Sequence, residues 1–110
     1  MNLMEVDGYR ARLAYDSEID QFRGEILGLS GGADFYGKTP AELRKEFRRS
    51  LKAYLKVCEE KGIAPLKTYS GKFNLRIPSA LHGRIAEAAA GENKSINEWV
   101  AEALKKSVGG

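Results

Sequence analysis

Lys72-Phe73-Asn74-Leu75-Arg76-Ile77-Pro78 decides how the C-terminal third of this chain folds. Polar and apolar side chains alternate strictly over six residues, which is the period of a half-buried β-strand. Pro78 ends the run because it has no N–H to give to a ladder. Two helices are expected after it. Ser79 is placed to cap a helix that carries Leu81, Ile85 and Ala88 on one side and stops at Gly91. Ser95-Ile96-Asn97-Glu98 has the serine and glutamate of a capping box, and the helix it opens aligns Ile96, Trp99, Val100, Ala103 and Leu104 on one stripe.

One strand and two helices make about forty residues, too few to bury both a strand face and two helical stripes. The strand also has backbone groups that need a partner. Both needs are met if two chains pair their strands antiparallel across a two-fold axis, giving a two-stranded ribbon laid on four helices. Phe73, Leu75 and Ile77 then share one side of the ribbon, and Lys72, Asn74 and Arg76 the other. The expected dimer core is Leu75, Ile77, Ile85, Ile96, Trp99, Val100 and Leu104.

Such a ribbon fits the major groove of DNA. Lys72 and Arg76 offer donors suited to guanine O6 and N7, and Asn74 can pair bidentately with adenine. The N-terminus of the last helix presents free amides and the positive end of its dipole to phosphate. Ser95 opens that helix, and Lys94 adds charge beside it.

Moving towards the N-terminus, residues 63–70 show no clean period, contain Pro65 and read as a linker. Before it, Thr39-Pro40-Ala41-Glu42 combines an N-cap hydroxyl, a proline at the first helical position and a glutamate three residues after the cap. Leu43, Phe47, Leu51, Tyr54, Leu55 and Cys58 recur every three or four residues, and Gly62 fits the stop. Residues 9–15 alternate as a strand, residues 21–29 give a second and residues 33–36 a short third. The expectation is an α+β chain: a small antiparallel sheet with one helix in residues 1–62, then a strand-helix-helix module in residues 71–110.

Charge divides along the same lines. Residues 1–37 carry three basic and seven acidic side chains, residues 38–61 eight and four, and residues 66–110 seven and four. A basic C-terminal third suits nucleic acid, and an acidic N-terminal third suits a basic protein partner. A single cysteine, Cys58, excludes an intrachain disulfide and a cysteine-rich metal site. Neither a membrane-length apolar run nor a signal-peptide pattern is present, so a cytoplasmic location is expected.

Phe73-Asn74-Leu75-Arg76-Ile77-Pro78 followed by Gly91-Glu92-Asn93-Lys94-Ser95-Ile96-Asn97-Glu98 resembles the Arc and MetJ ribbon-helix-helix repressors. The resemblance implies base contacts from Lys72, Asn74 and Arg76 and phosphate contacts from Lys94 and Ser95. The whole chain is similar to the HicB antitoxin family, through Gly37-Lys38-Thr39-Pro40-Ala41-Glu42-Leu43 and Gly71-Lys72-Phe73-Asn74-Leu75-Arg76-Ile77-Pro78. It departs from the commoner pattern in lacking a Pro-Gly-Cys stretch in residues 15–36. That resemblance implies a partial RNase H-like first domain, a HicA-like RNA-cleaving toxin as partner, and repression of its own operon.

Other side chains with chemical potential read more simply. Asp16, Glu18 and Asp20 sit in one turn, whereas two-metal catalysis needs carboxylates converging from several elements. His82 has no partner motif, Cys58 lies on the apolar stripe, and Arg44 to Lys56 read as a solvated helix face. No catalytic residue, metal or cofactor is expected. The function expected is an antitoxin and sequence-specific autorepressor that binds operator DNA as a dimer, or as a tetramer of paired dimers. The alternative is a stand-alone repressor whose first domain mediates oligomerisation or sensing.

Overall fold

The computed structural model describes residues 2–109. These fall into two compact units, divided between Ser70 and Gly71. The first unit is a four-stranded antiparallel meander, in the order β1 (Leu3–Val6), β2 (Tyr9–Asp16), β3 (Gln21–Ile26) and β4 (Asp34–Gly37), followed by a long helix, α1 (Pro40–Lys61). The second contains α2 (Ser79–Gly91) and α3 (Ile96–Ser107).

Sequence periodicity predicts β2, β3 and β4 but omits β1. The omission had a local signal. Val6 pairs with Tyr9 across Asp7-Gly8, and both turn residues have positive φ, 51° and 83°. Asp-Gly is the favoured sequence for a two-residue turn of that hand, whose twist matches the flanking strands. β3 ends at Ile26, three residues before the expected limit. Gly28 takes φ 78° and turns the chain, so that Leu29 is buried as an isolated bridge to Leu66.

α1 covers one face of the sheet. Val6, Ala11, Ile26, Phe35, Leu43, Phe47 and Leu51 make the buried core, with Phe35 and Phe47 stacked at 4.9 Å between ring centroids. Gly24 lies in the middle of β3 because a Cβ there would run into the Phe35 ring. The helix starts as its sequence predicts. Thr39 Oγ1 accepts the amide of Glu42 at 3.1 Å, Pro40 follows, and Gly62 ends the helix with φ 66°.

The expected linker is shorter than residues 63–70. The Tyr54 hydroxyl accepts the Gly31 amide at 2.9 Å and donates to the Pro65 carbonyl at 3.1 Å. The Ser30 amide bonds to Pro65 O and the Lys67 amide to Gly28 O, each at 2.9 Å. Residues 64–67 are therefore tied to the turn between β3 and β4. Backbone groups of that turn and of the returning chain satisfy their hydrogen bonds with each other.

In the second unit the helices stand where the stripes predict, but two of their ends differ. Ser79 is the first helical residue and makes no side-chain cap; Pro78, with φ near −58°, occupies the cap position. Gly91 lies inside α2, and the stop is Asn93 at φ 56°. The Lys94 amide reaches Ala89 O at 2.9 Å and the Asn93 amide reaches Ala90 O at 3.1 Å. These are the two bonds of a Schellman ending, which asparagine can form because its side chain tolerates the left-handed region.

Residues 72–78 form no strand in the single chain; the strand expected over 72–77 is one that pairs with a second chain. A strand exists only as part of a ladder, and the partner that alternation asks for would be the same segment of a second chain.

Candidate nucleic-acid interface

Lys72, Asn74 and Arg76 are all exposed. Their alternate neighbours Phe73 and Leu75 are exposed as well, at 74% and 60%, and Ile77 is half-buried. The apolar side of this segment is therefore largely open to solvent, like its polar side. Of the other expected core residues, Ile96 and Leu104 are exposed, whereas Ile85, Trp99 and Val100 are half-buried. Ala89 is the one buried hydrophobic residue among the described residues of this unit.

The turn from α2 to α3 is built more tightly than its sequence suggests. Ser95 is the N-cap of α3, and its Oγ accepts the Glu98 amide at 3.1 Å in a complete capping box. Lys94 Nζ lies 2.5 Å from Glu102 and 3.3 Å from Glu92. Two carboxylates thus answer the charge expected to meet phosphate. The hydrogen bond to Glu102, then that to Glu92, holds the Lys94 ammonium proton more firmly than usual. These ion pairs make Lys94 a brace for α3 as well as a cation. The first-turn amides of Ile96 and Asn97 precede the amide that Ser95 takes.

Glu92 also accepts the Trp99 indole N–H at 2.6 Å. That bond, followed by the interaction with Lys94, keeps the Glu92 carboxyl below its ordinary value of 4.5. A depressed carboxyl stabilises the folded turn above its ordinary pKa, and the contribution disappears as pH falls through the lowered folded value. Trp99 is the single tryptophan of the chain, so its fluorescence reports this turn alone. Acidification below about pH 4.5 should shift its emission before the helices melt. In Glu92→Gln, which keeps an acceptor but loses the titrating charge, that early shift should be absent. An identical titration in the two proteins would remove Glu92 from the account.

In the first unit the tip of the β2–β3 hairpin joins apolar and acidic groups. Tyr15, Ile19 and Phe22 are exposed at 56%, 45% and 39%, and Tyr15 meets Phe22 edge-on at 5.7 Å. Tyr15 donates to Asp20 at 2.6 Å, a bond that raises its hydroxyl pKa, while Asp16 accepts the Glu18 amide at 3.0 Å. Sequence alternation alone did not single out this patch, because its apolar members come from two strands and a loop. On the sheet face opposite α1, Arg12 pairs with Glu25 and Arg23 with Asp34, so these charges neutralise one another.

Among the described residues no cluster of histidine, cysteine or carboxylate groups is placed to hold a metal ion. His82 is exposed and Cys58 is buried along α1. No helix of the described residues is long and apolar enough to cross a membrane.

No curated protein and no solved structure matches the chain. Residues 54–104 match the model of the HicB family, and the chain is similar to that family from the second half of α1 to the last turns of α3.

Proposed function

We propose that this protein is an antitoxin of a HicA/HicB-type system that also represses transcription by binding operator DNA as a dimer. The observation that carries the DNA-binding half is the open core of the second unit. Among its described hydrophobic residues it buries Ala89 alone, while Phe73, Leu75, Leu81, Ile96 and Leu104 stay exposed. A pair of such units, joined through residues 72–77, would cover those side chains and leave Lys72, Asn74 and Arg76 on the outer side of a ribbon of the width the major groove admits. The family match through residues 54–104 supports the antitoxin role and the toxin partner. The surface offered to that partner is the hairpin tip, where Asp16, Glu18 and Asp20 surround exposed Tyr15, Ile19 and Phe22. An RNA-cleaving protein needs a cationic surface to hold phosphates, and this patch is its electrostatic complement. The protein itself is proposed to be neither an enzyme nor a metal protein.

Assembly is the most direct test. Because folding of the second unit is coupled to association, the Trp99 melting transition of the full chain should rise with protein concentration. Sedimentation at micromolar concentration should give a dimer or a larger even assembly. A concentration-independent transition from a sedimenting monomer would defeat the reading.

A further inference from the structure

α1 carries more positive charge than a solvated helix face explains. Arg44, Arg48, Lys52 and Lys56 follow one another at four-residue steps, with Lys45 and Arg49 beside them, and all six are exposed. A solvated face normally intersperses acids and bases so that neighbours at i and i+4 attract. Here Arg44–Arg48, Arg48–Lys52, Lys52–Lys56 and Lys45–Arg49 are four like-charge neighbours, each of which destabilises the helix. Among the described residues the one ion pair these six make is Arg49 with Glu46, at a loose 3.9 Å. Asp7 and Glu59 border the groove beside the row, and neither forms an ion pair with it among the described residues. A solvated face leaves this local conflict unexplained, and unresolved conflicts of this kind gather where a partner resolves them.

We infer that the α1 row is a second DNA-contacting surface, which holds duplex phosphates without reading sequence. The four-residue step advances about 6 Å along the helix, so the row is a stiff line of cations about 18 Å long. Duplex DNA is an equally stiff partner, with one charge per roughly 1.7 Å of axis. Single-stranded nucleic acid is gripped through aromatic platforms. The row offers none: the Tyr54 hydroxyl is tied to Gly31 and Pro65, and Tyr9 is half-buried against the core. The inference deepens the DNA-binding reading and rests on it for the identity of the nucleic acid.

The experiment compares three full-length proteins on a labelled duplex of scrambled sequence and on an operator duplex, across a salt series. They are the wild type, the quadruple variant Arg44→Gln/Arg48→Gln/Lys52→Gln/Lys56→Gln, and the ribbon variant Lys72→Ala/Arg76→Ala. Glutamine is a good helix former and removes the repulsion, so the quadruple variant should melt no lower than the wild type. Its salt slope on both duplexes should be shallower by about 0.9 for each phosphate it no longer neutralises, up to roughly three to four units for each protomer whose row meets the duplex. Its operator preference should be unchanged. A folded quadruple variant with the wild-type slope on both duplexes overturns the inference. If the quadruple variant loses slope while the ribbon variant keeps its operator preference, the α1 surface stands and the ribbon reading falls. If wild-type protein binds neither duplex, both fall.

Discussion

Arg76→Ala should lower operator affinity by about 2–6 kcal/mol while leaving the fold intact. A bidentate arginine–guanine pair discriminates by about 1–3 kcal/mol, and a symmetric dimer forfeits it at both half-sites. The sum holds if the two effects are independent, as widely separated sites usually are. Arg76 is exposed and belongs to the polar alternation of residues 72–77, so its removal takes nothing from the apolar side. Binding to random duplex should fall far less, because that binding depends on how many phosphates are neutralised in all. Equal reductions on operator and random DNA, with the fold unchanged, would mean that residues 72–77 do not read bases. Lys94→Ala is the instructive companion. Its partners Glu92 and Glu102 join the turn to α3, so the substitution should loosen that helix, and the Trp99 emission should register it.

Phe47→Ala should strip the first unit of much of its stability and spare the second. Phe47 is the largest fully buried side chain among the described residues and stacks on Phe35 at 4.9 Å. Truncating a buried phenylalanine costs about 3–5 kcal/mol through lost burial and the cavity left behind. A unit of this size holds roughly 4–10 kcal/mol in all. The substitution therefore removes much of the stability of the sheet and α1. In far-UV circular dichroism the first unit's contribution should melt at a much lower temperature than in the wild type, while the Trp99 transition, which belongs to the second unit, keeps its midpoint. A common downward shift of both signals would show that the two units unfold together.

Much of this was legible in the chain because it was local. The Thr39 cap, the proline after it and the stripe through Leu43, Phe47 and Leu51 announce α1, since a helix is bounded by its own caps and its apolar period. The Ser95–Glu98 box announces α3 for the same reason. β1 could have been read from Asp7-Gly8, whose turn hand is set by two adjacent residues.

Other features depended on groups far apart in sequence. Tyr54 looked like one more member of an apolar stripe, yet its hydroxyl bonds residues 31 and 65 and makes much of the expected linker part of the first unit. Lys94 looked like a free cation, yet the fold brings Glu102 to 2.5 Å. The sequence by itself determined most of the elements, the charge division and the polar alternation of Lys72, Asn74 and Arg76. These follow from propensity and period, which act over a few residues. Only the tertiary structure decided which charges are answered by neighbours, which hydroxyls are engaged and how little the second unit buries. Those outcomes depend on distances between residues that no local pattern encodes.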